Sequence, residues 1–454
     1  MTNIDSLKRG FMASQLPQNF QDAISVADRL GIQYVWIDSL CIVQDSVSDW
    51  IFQSSLMSAV YGSSYFTIYA SDAGFLRPRS KASFLEAKVC QLPGSGDWIY
   101  ARYPRYENYV TGRLWERGWA FQELILPSRV LEYSPSYIRW YCNSGILIET
   151  APDLTTSSLS RLKNKIARMN QRNQKPFEHL PYATWYELVQ SYSRRKLDKD
   201  SDKLPAVAGL ANLFFDLLND QYLAGLWKKD LAAGICWRKY QESLQEPAYY
   251  TAPSWSWASK IGPVDFTFTA LHNYTLEVAD YSTYVHGRSR FGQVKGGYLT
   301  VKGPMRTFKI PPVTADVYGT EKNHTGIYGP PKLHSKIEEN ATNHCHFFEI
   351  KTQENFRNSL GTGICTFSFD VCLPADLPTL YLFKLKKEGI INIKKAEFAG
   401  SPDGLVLRRY KHEDDYLYTR IGVYQVADLN ALRMASDTEY TELRGWVTET
   451  ITIV

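Results

Sequence analysis

The chain has 454 residues, 44% of them hydrophobic and 22% charged, with a net charge of +4 at pH 7. That length holds two or three domains with proper cores, and the composition is that of a folded soluble protein. So small a net charge excludes a global field for nucleic acid, and no apolar run reaches the length of a membrane span.

Twelve Trp, 30 Tyr and 21 Phe make the chain rich in rings, which serve either large aromatic cores or a stacking surface for a ring-bearing ligand. The seven cysteines (Cys41, Cys90, Cys142, Cys236, Cys345, Cys365, Cys372) are dispersed, without a C-x-x-C pair. Residues 1–10 lack an apolar h-region. Both features are those of a reduced, cytoplasmic chain.

Phe20, Ala23, Ile24, Ala27 and Leu30 recur at helical spacing, and Gly31 supplies the stop. Residues 32–37 are expected as an apolar strand running into a polar cluster of Asp38, Cys41, Gln44 and Asp45. Asp49 is expected to cap a helix carrying Trp50, Met57 and Tyr61. Residues 65–70 are expected as a second strand, ending in Ser71-Asp72. Helix, strand, helix, strand with short connections predicts a parallel sheet, with 32–37 and 65–70 as neighbours and Asp38 and Asp72 opening on one edge. Open α/β sheets place ligands at such an edge.

Residues 115–124 predict a short helix, and 127–133 and 137–142 two strands. Residues 154–177 carry Arg161, Lys163, Lys165, Arg168, Arg172 and Lys175 without an acid, as a solvated linker or helix face does. From 181 to 237 the period is helical, with Trp185, Leu188, Val189 and Tyr192 as one stripe. Beyond Ala252-Pro-Ser-Trp-Ser-Trp-Ala258 the pattern turns to strands, among them 298–302, 380–384 and 421–425.

Tyr34-Val-Trp-Ile-Asp-Ser-Leu-Cys-Ile-Val-Gln-Asp45 and Arg117-Gly-Trp-Ala-Phe-Gln-Glu-Leu124 resemble two blocks of the heterokaryon-incompatibility (HET) domain. The family is a fungal module tied to non-self recognition and regulated cell death. Tyr192-Ser-Arg-Arg-Lys196, residues 222–227 and Pro253–Ala258 resemble the region that follows this domain in fungal members. The resemblance implies an opening strand that the sequence does not display, and a Glu where Gln53 stands. Together these predict an incomplete TIR-like or Rossmann-like α/β parallel-sheet domain over 1–150. A basic linker over 151–180, a helical region over 181–260 and a β-rich region over 261–454 follow.

By that resemblance the chain is a signalling module with protein partners or self-association as its means. A second reading comes through TIR domains, some of which cleave the nicotinamide–ribose bond of NAD with a Glu. NAD would then be substrate, and no cofactor is assigned. That reaction needs a carboxylate for an oxocarbenium-like centre and an aromatic wall for the base. Glu123 and Asp38 are the catalytic candidates, with Asp45 and Asp72 as further carboxylates and Trp36, Trp50 and Trp119 as walls. Cys41, Gln44, Tyr61, Arg117, Gln122 and Arg129 complete the motif residues. The bland alternatives are that Glu123 pairs with Arg117 or Arg129, that Asp38 caps its loop, and that Cys41 is a buried hydrophobe. His344-Cys-His346 supplies too few ligands for a zinc site.

Overall fold

The computed structural model describes residues 4–70, 74–77, 86–102, 113–134, 138–149, 151–155, 158–169, 180–240, 243–266, 274, 276–287, 289–309, 317–319, 348–351, 364–371, 379–385, 404–413, 415–427 and 447–454. They form two compact units, one of residues 1–175, 195–197 and 206–213, the other of 176–194, 198–205 and 214–454.

In the first unit, helix Gln18–Arg29 stands where the apolar spacing places it, and Gly31 at φ +68° ends it in the left-handed conformation that glycine tolerates. A five-stranded sheet follows the order Thr67–Ala70, Val130–Tyr133, Ile138–Cys142, Gly145–Ile148, Ala151–Thr155. Its first pair is parallel, with Thr67 opposite Val130, and the remaining pairs are antiparallel. The sheet is therefore mixed, not parallel throughout.

Residues 32–37 are not a strand, and strand Thr67–Ala70 takes Val130–Tyr133 as its parallel neighbour instead. The physical reason is that an apolar run becomes a strand only when another strand satisfies its amides. Here the chain returns through helix Ala120–Ile125 and lays 130–133 beside 67–70.

Buried Tyr69, Ala120, Leu124, Val130, Tyr141 and Ile146 form the core under this sheet. Glu132 lies buried within it and accepts from Trp115 Nε1 at 2.8 Å and from the Tyr141 hydroxyl at 2.7 Å, with Arg139 at 3.7 Å. Residues 158–169, inside the basic run, form a helix. Its Lys163 is buried and donates to the carbonyls of Leu124 (2.8 Å), Ile125 (3.2 Å) and Pro127 (2.6 Å). Three acceptors match the three protons of an ammonium at the negative end of helix Ala120–Ile125. Burial nevertheless pulls the Lys163 pKa down to about 7.

In the second unit, helix Leu180–Ser193 buries the expected stripe of Trp185, Leu188, Val189 and Tyr192. The helical period does not continue through 222–227, which is a hairpin pairing Tyr222 with Trp227. Ala224 (φ 45°) and Gly225 (φ 97°) form its turn, and two left-handed central residues suit a tight hairpin. The indoles of Trp185 and Trp257 both donate to the Gly225 carbonyl at 2.9 Å. Trp255 and Trp257 are fully buried.

The β-rich region is a nine-stranded sheet in which Val294–Lys309, Thr379–Lys384, Gly404–His412, Asp415–Ala427 and Val447–Ile453 close on themselves. Val447–Ile453 makes the closure by pairing antiparallel with 294–309 and parallel with 415–427. The strands expected at 298–302, 380–384 and 421–425 all lie in this barrel-like sheet. Inside the unit, Arg420 donates to Asp370 and to the carbonyls of Ile235 and Trp237, with both charged groups buried.

Candidate functional site

Asp38 opens a single helical turn, Asp38–Cys41, and its own Oδ1 accepts from the Ser39 amide at 2.7 Å. The loop after it is tied down by Gln44, whose amide donates to the Ile42 carbonyl at 2.9 Å. Helix Val47–Gly62 then has its cap three residues before the expected Asp49. Ser46 is its N-cap, accepting from the Asp49 amide, while Asp49 turns back to accept from the Val43 amide at 2.7 Å. A hydroxyl at the N-cap reaches the third amide more readily than a carboxylate already inside the first turn. Gln53 reaches back weakly to Asp49, at 3.5 Å.

This helix presents Trp50 and Tyr61 to the two motif blocks. Trp36 meets the Tyr61 ring edge-on with centroids 5.6 Å apart, and Trp119 meets Trp50 in the same way at 6.0 Å. Trp119 is the N-cap of helix Ala120–Ile125 and is half-buried, so it packs on Trp50 without being enclosed by the core. Gln122, one turn on, is buried with its amide 3.9 Å from the Met57 sulfur. That glutamine belongs to the packing between helices Val47–Gly62 and Ala120–Ile125.

Glu123 is the centre of the arrangement. It is partly buried, it is the hydrogen-bond partner of the Tyr61 hydroxyl, and it feels the charges of Asp38, Arg117 and Arg195. Burial pushes its carboxyl up to about 7, and the nearby Asp38 carboxylate pushes in the same direction. The Tyr61 hydroxyl and the two guanidinium groups pull the other way and do not prevail. The Tyr61 hydroxyl is itself pushed up, first by burial and then by the Glu123 and Asp38 charges.

Arg195 stands in the motif Tyr192-Ser-Arg-Arg-Lys196, whose residue types alone give it no role at this cluster. Its guanidinium lies 4.8 Å from the Phe121 ring centroid and 5.5 Å from that of Trp115, and it donates to the Arg117 carbonyl at 3.2 Å. Residues 195–197 reach this position through a short parallel bridge. Gly118 N–H donates to the Lys196 carbonyl at 2.7 Å, and Lys196 N–H to the Glu116 carbonyl at 2.5 Å. A Cβ on Gly118 would stand 2.4 Å from Leu197 Cδ2, so a larger residue there requires that leucine to shift.

The remaining candidates lie apart from this cluster. Arg129 donates to the Tyr65 carbonyl at 2.9 Å and sits over the Tyr65 ring, so the Glu123 charge is answered by Arg117 and Arg195. Cys41 is exposed and is not a buried hydrophobe; Asp45 is exposed as well. Asp72 and His344–His346 fall outside the described residues. Among the described residues there is no group of three or more His, Cys, Asp or Glu able to hold a metal ion, and no helix long and apolar enough to cross a membrane.

A carboxyl that exchanges its proton near neutrality, flanked by a phenol, a second carboxylate and two guanidinium groups, can act as acid or base on a bound ring-bearing molecule. No curated protein and no solved structure matches the chain. Residues 2–123, which end on Glu123 and contain Trp36, Asp38 and Tyr61, match the family model described as heterokaryon incompatibility protein (HET), so this segment of the chain is similar to a HET domain.

Proposed function

We propose that this chain is a signalling module of fungal non-self recognition and regulated cell death that works through protein contacts, self-association included. The observation that carries this reading is a set of exposed large apolar side chains in the first unit. Tyr34 is 88% exposed, Val47 76% and Phe52 56%, with Trp50 and Leu56 also open. Tyr34 lies in the run 32–37, which is not in a helix and pairs with no strand among the described residues. Exposed apolar side chains and backbone without a strand partner are what a second chain can cover. The dispersed cysteines support a cytoplasmic setting.

The test is light scattering over a concentration series, with growth of a fungal host expressing the same variants. Phe52→Glu and Val35→Lys are expected to lower self-association and to relieve growth arrest together. A chain that is monomeric throughout, with arrest untouched by both substitutions, would overturn the reading.

Glu123 favours a second reading, cleavage of the nicotinamide–ribose bond of NAD as substrate. A TIR-like role would have ionised Glu123 stabilise the oxocarbenium-like centre, with Asp38 nearby and Trp36 beside Tyr61 as the wall for the base. Incubation with NAD should release nicotinamide, and Glu123→Gln should abolish the release. No release from the intact chain removes this reading and leaves the first one standing.

A further inference from the structure

Residues 195–197 belong to the first unit, although residues 176–194 before them and 198–205 after them belong to the second. Two successive arginines mark the boundary. Arg194 lies over the Tyr240 ring of the second unit at 4.4 Å, whereas Arg195 lies over the Phe121 and Trp115 rings of the first. What holds the segment is the turn at 116–118, between helices Arg113–Glu116 and Ala120–Ile125. Two backbone hydrogen bonds join it to Lys196, and the Arg195 guanidinium donates to the Arg117 carbonyl at 3.2 Å. Lys196 Nζ also meets Glu116 Oε2 at 2.9 Å, but both side chains are exposed and that pair adds little.

A methionine would cover Phe121 and Trp115 without a charge to desolvate, so packing alone does not call for a guanidinium there. The charge answers a need of the cluster. Glu123 is partly buried and meets Tyr61 from helix Val47–Gly62, Asp38 from the turn Asp38–Cys41, Arg117 from its own turn, Arg195 from the docked segment and Tyr69 from strand Thr67–Ala70. Burial first, and the Asp38 carboxylate next, push the Glu123 carboxyl up to about 7, while Tyr61, Arg117 and Arg195 pull it down. Arg117 is exposed, so water and salt screen it. Arg195 is half-buried, and two rings and a carbonyl fix its planar fork. One of its five N–H donors goes to the Arg117 carbonyl, which leaves others for an acceptor.

We infer that Arg195 is a positioning residue of the Glu123 site: the docked segment 195–197 holds the Arg117 turn in place and supplies a fixed positive charge to the Glu123 carboxyl. This rests on the reading of Glu123 as the working carboxyl of NAD cleavage, and it adds a residue from outside both motif blocks that sets the charge balance there. Removing that charge leaves burial and Asp38 opposed by Tyr61 and the screened Arg117 alone, so Glu123 should hold its proton to higher pH.

Carbon-13 NMR titration of the full chain, labelled in its glutamate carboxyls, tests this, with the Glu123 signal assigned by its loss in Glu123→Gln. Arg195→Gln and Arg195→Met should each raise the Glu123 midpoint by about 0.5 pH or more, since both remove the charge and the second keeps an apolar stem on Phe121. Arg195→Lys should return part of that shift, because a point charge lacks the fork. Arg194→Gln, one residue earlier, should leave the midpoint where it is. Should the Gln and Met variants fail to fold, the unaltered chain decides, because the Arg195 Nε–H signal must then follow the Glu123 midpoint between about pH 5 and 9. A midpoint indifferent to loss of the Arg195 charge, an equal response to Arg194→Gln, or a flat Arg195 signal would each overturn the assignment. Nicotinamide release from the same variants keeps the two readings apart: no release at any pH removes NAD cleavage, while the titration still decides the role of Arg195.

Discussion

The Tyr61 hydroxyl and the Glu123 carboxyl are hydrogen-bond partners, joining the end of helix Val47–Gly62 to helix Ala120–Ile125. That contact sets Tyr61 against the 117–124 block. It also exposes Glu123 to the Asp38 charge, which helps to raise its pKa.

A carboxyl raised in the folded state costs stability wherever it must ionise. The folded chain holds its Glu123 proton up to about 7, whereas an unfolded carboxyl releases it near 4.5. Stability is therefore lost as pH rises through that window and stays lost above it. Glu123→Gln should leave denaturant stability unchanged near pH 4 and raise it by about 1–3 kcal/mol at pH 8. Equal effects at both pH values would show that Glu123 ionises normally.

Lys163 should be among the least replaceable charges of the first unit. Lys163→Met keeps the stem but strands the carbonyls of Leu124, Ile125 and Pro127. The expected loss is about 2–4 kcal/mol, since buried acceptors without donors cost about 1–3 kcal/mol each and partly recover water. Equilibrium urea unfolding of the variant measures it, and a loss below 1 kcal/mol would contradict the contact.

Gly225 combines two demands. Its φ of 97° disfavours any side chain, and a Cβ there would lie 2.5 Å from Trp257 Nε1. Gly225→Ala should cost about 2–4 kcal/mol, from backbone strain and overpacking together, and should change the tryptophan fluorescence of the folded state.

Arg420 and Asp370 form an enclosed pair. Burial pushes the Asp370 carboxyl up and the Arg420 guanidinium down, and each charge opposes that drift in the other. Arg420→Met should cost about 3–5 kcal/mol because Asp370 is left buried without its partner. Adding Asp370→Asn should recover part of the loss, as a double-mutant cycle would show.

Much of the local structure was legible in the residues themselves. Helix Gln18–Arg29, the buried stripe of Leu180–Ser193 and the C-terminal strands follow from spacing, because a helix or strand face is set by neighbours three, four or two positions away. The blocks holding Asp38, Trp36, Arg117 and Glu123 were legible too, as residue types at fixed intervals.

Pairing was not legible. Residues 32–37 carry the apolar character of a strand yet pair with no strand among the described residues, while 130–133 took the place beside 67–70. An isolated run has no means of stating which distant segment will satisfy its amides. The same holds for Arg195, whose role depends on a bridge between residues 116–118 and 196, and for the elevated Glu123 pKa, which depends on burial and on Asp38. Charge and hydrogen bonding act through space over a few ångströms, so only the tertiary fold decides which groups meet.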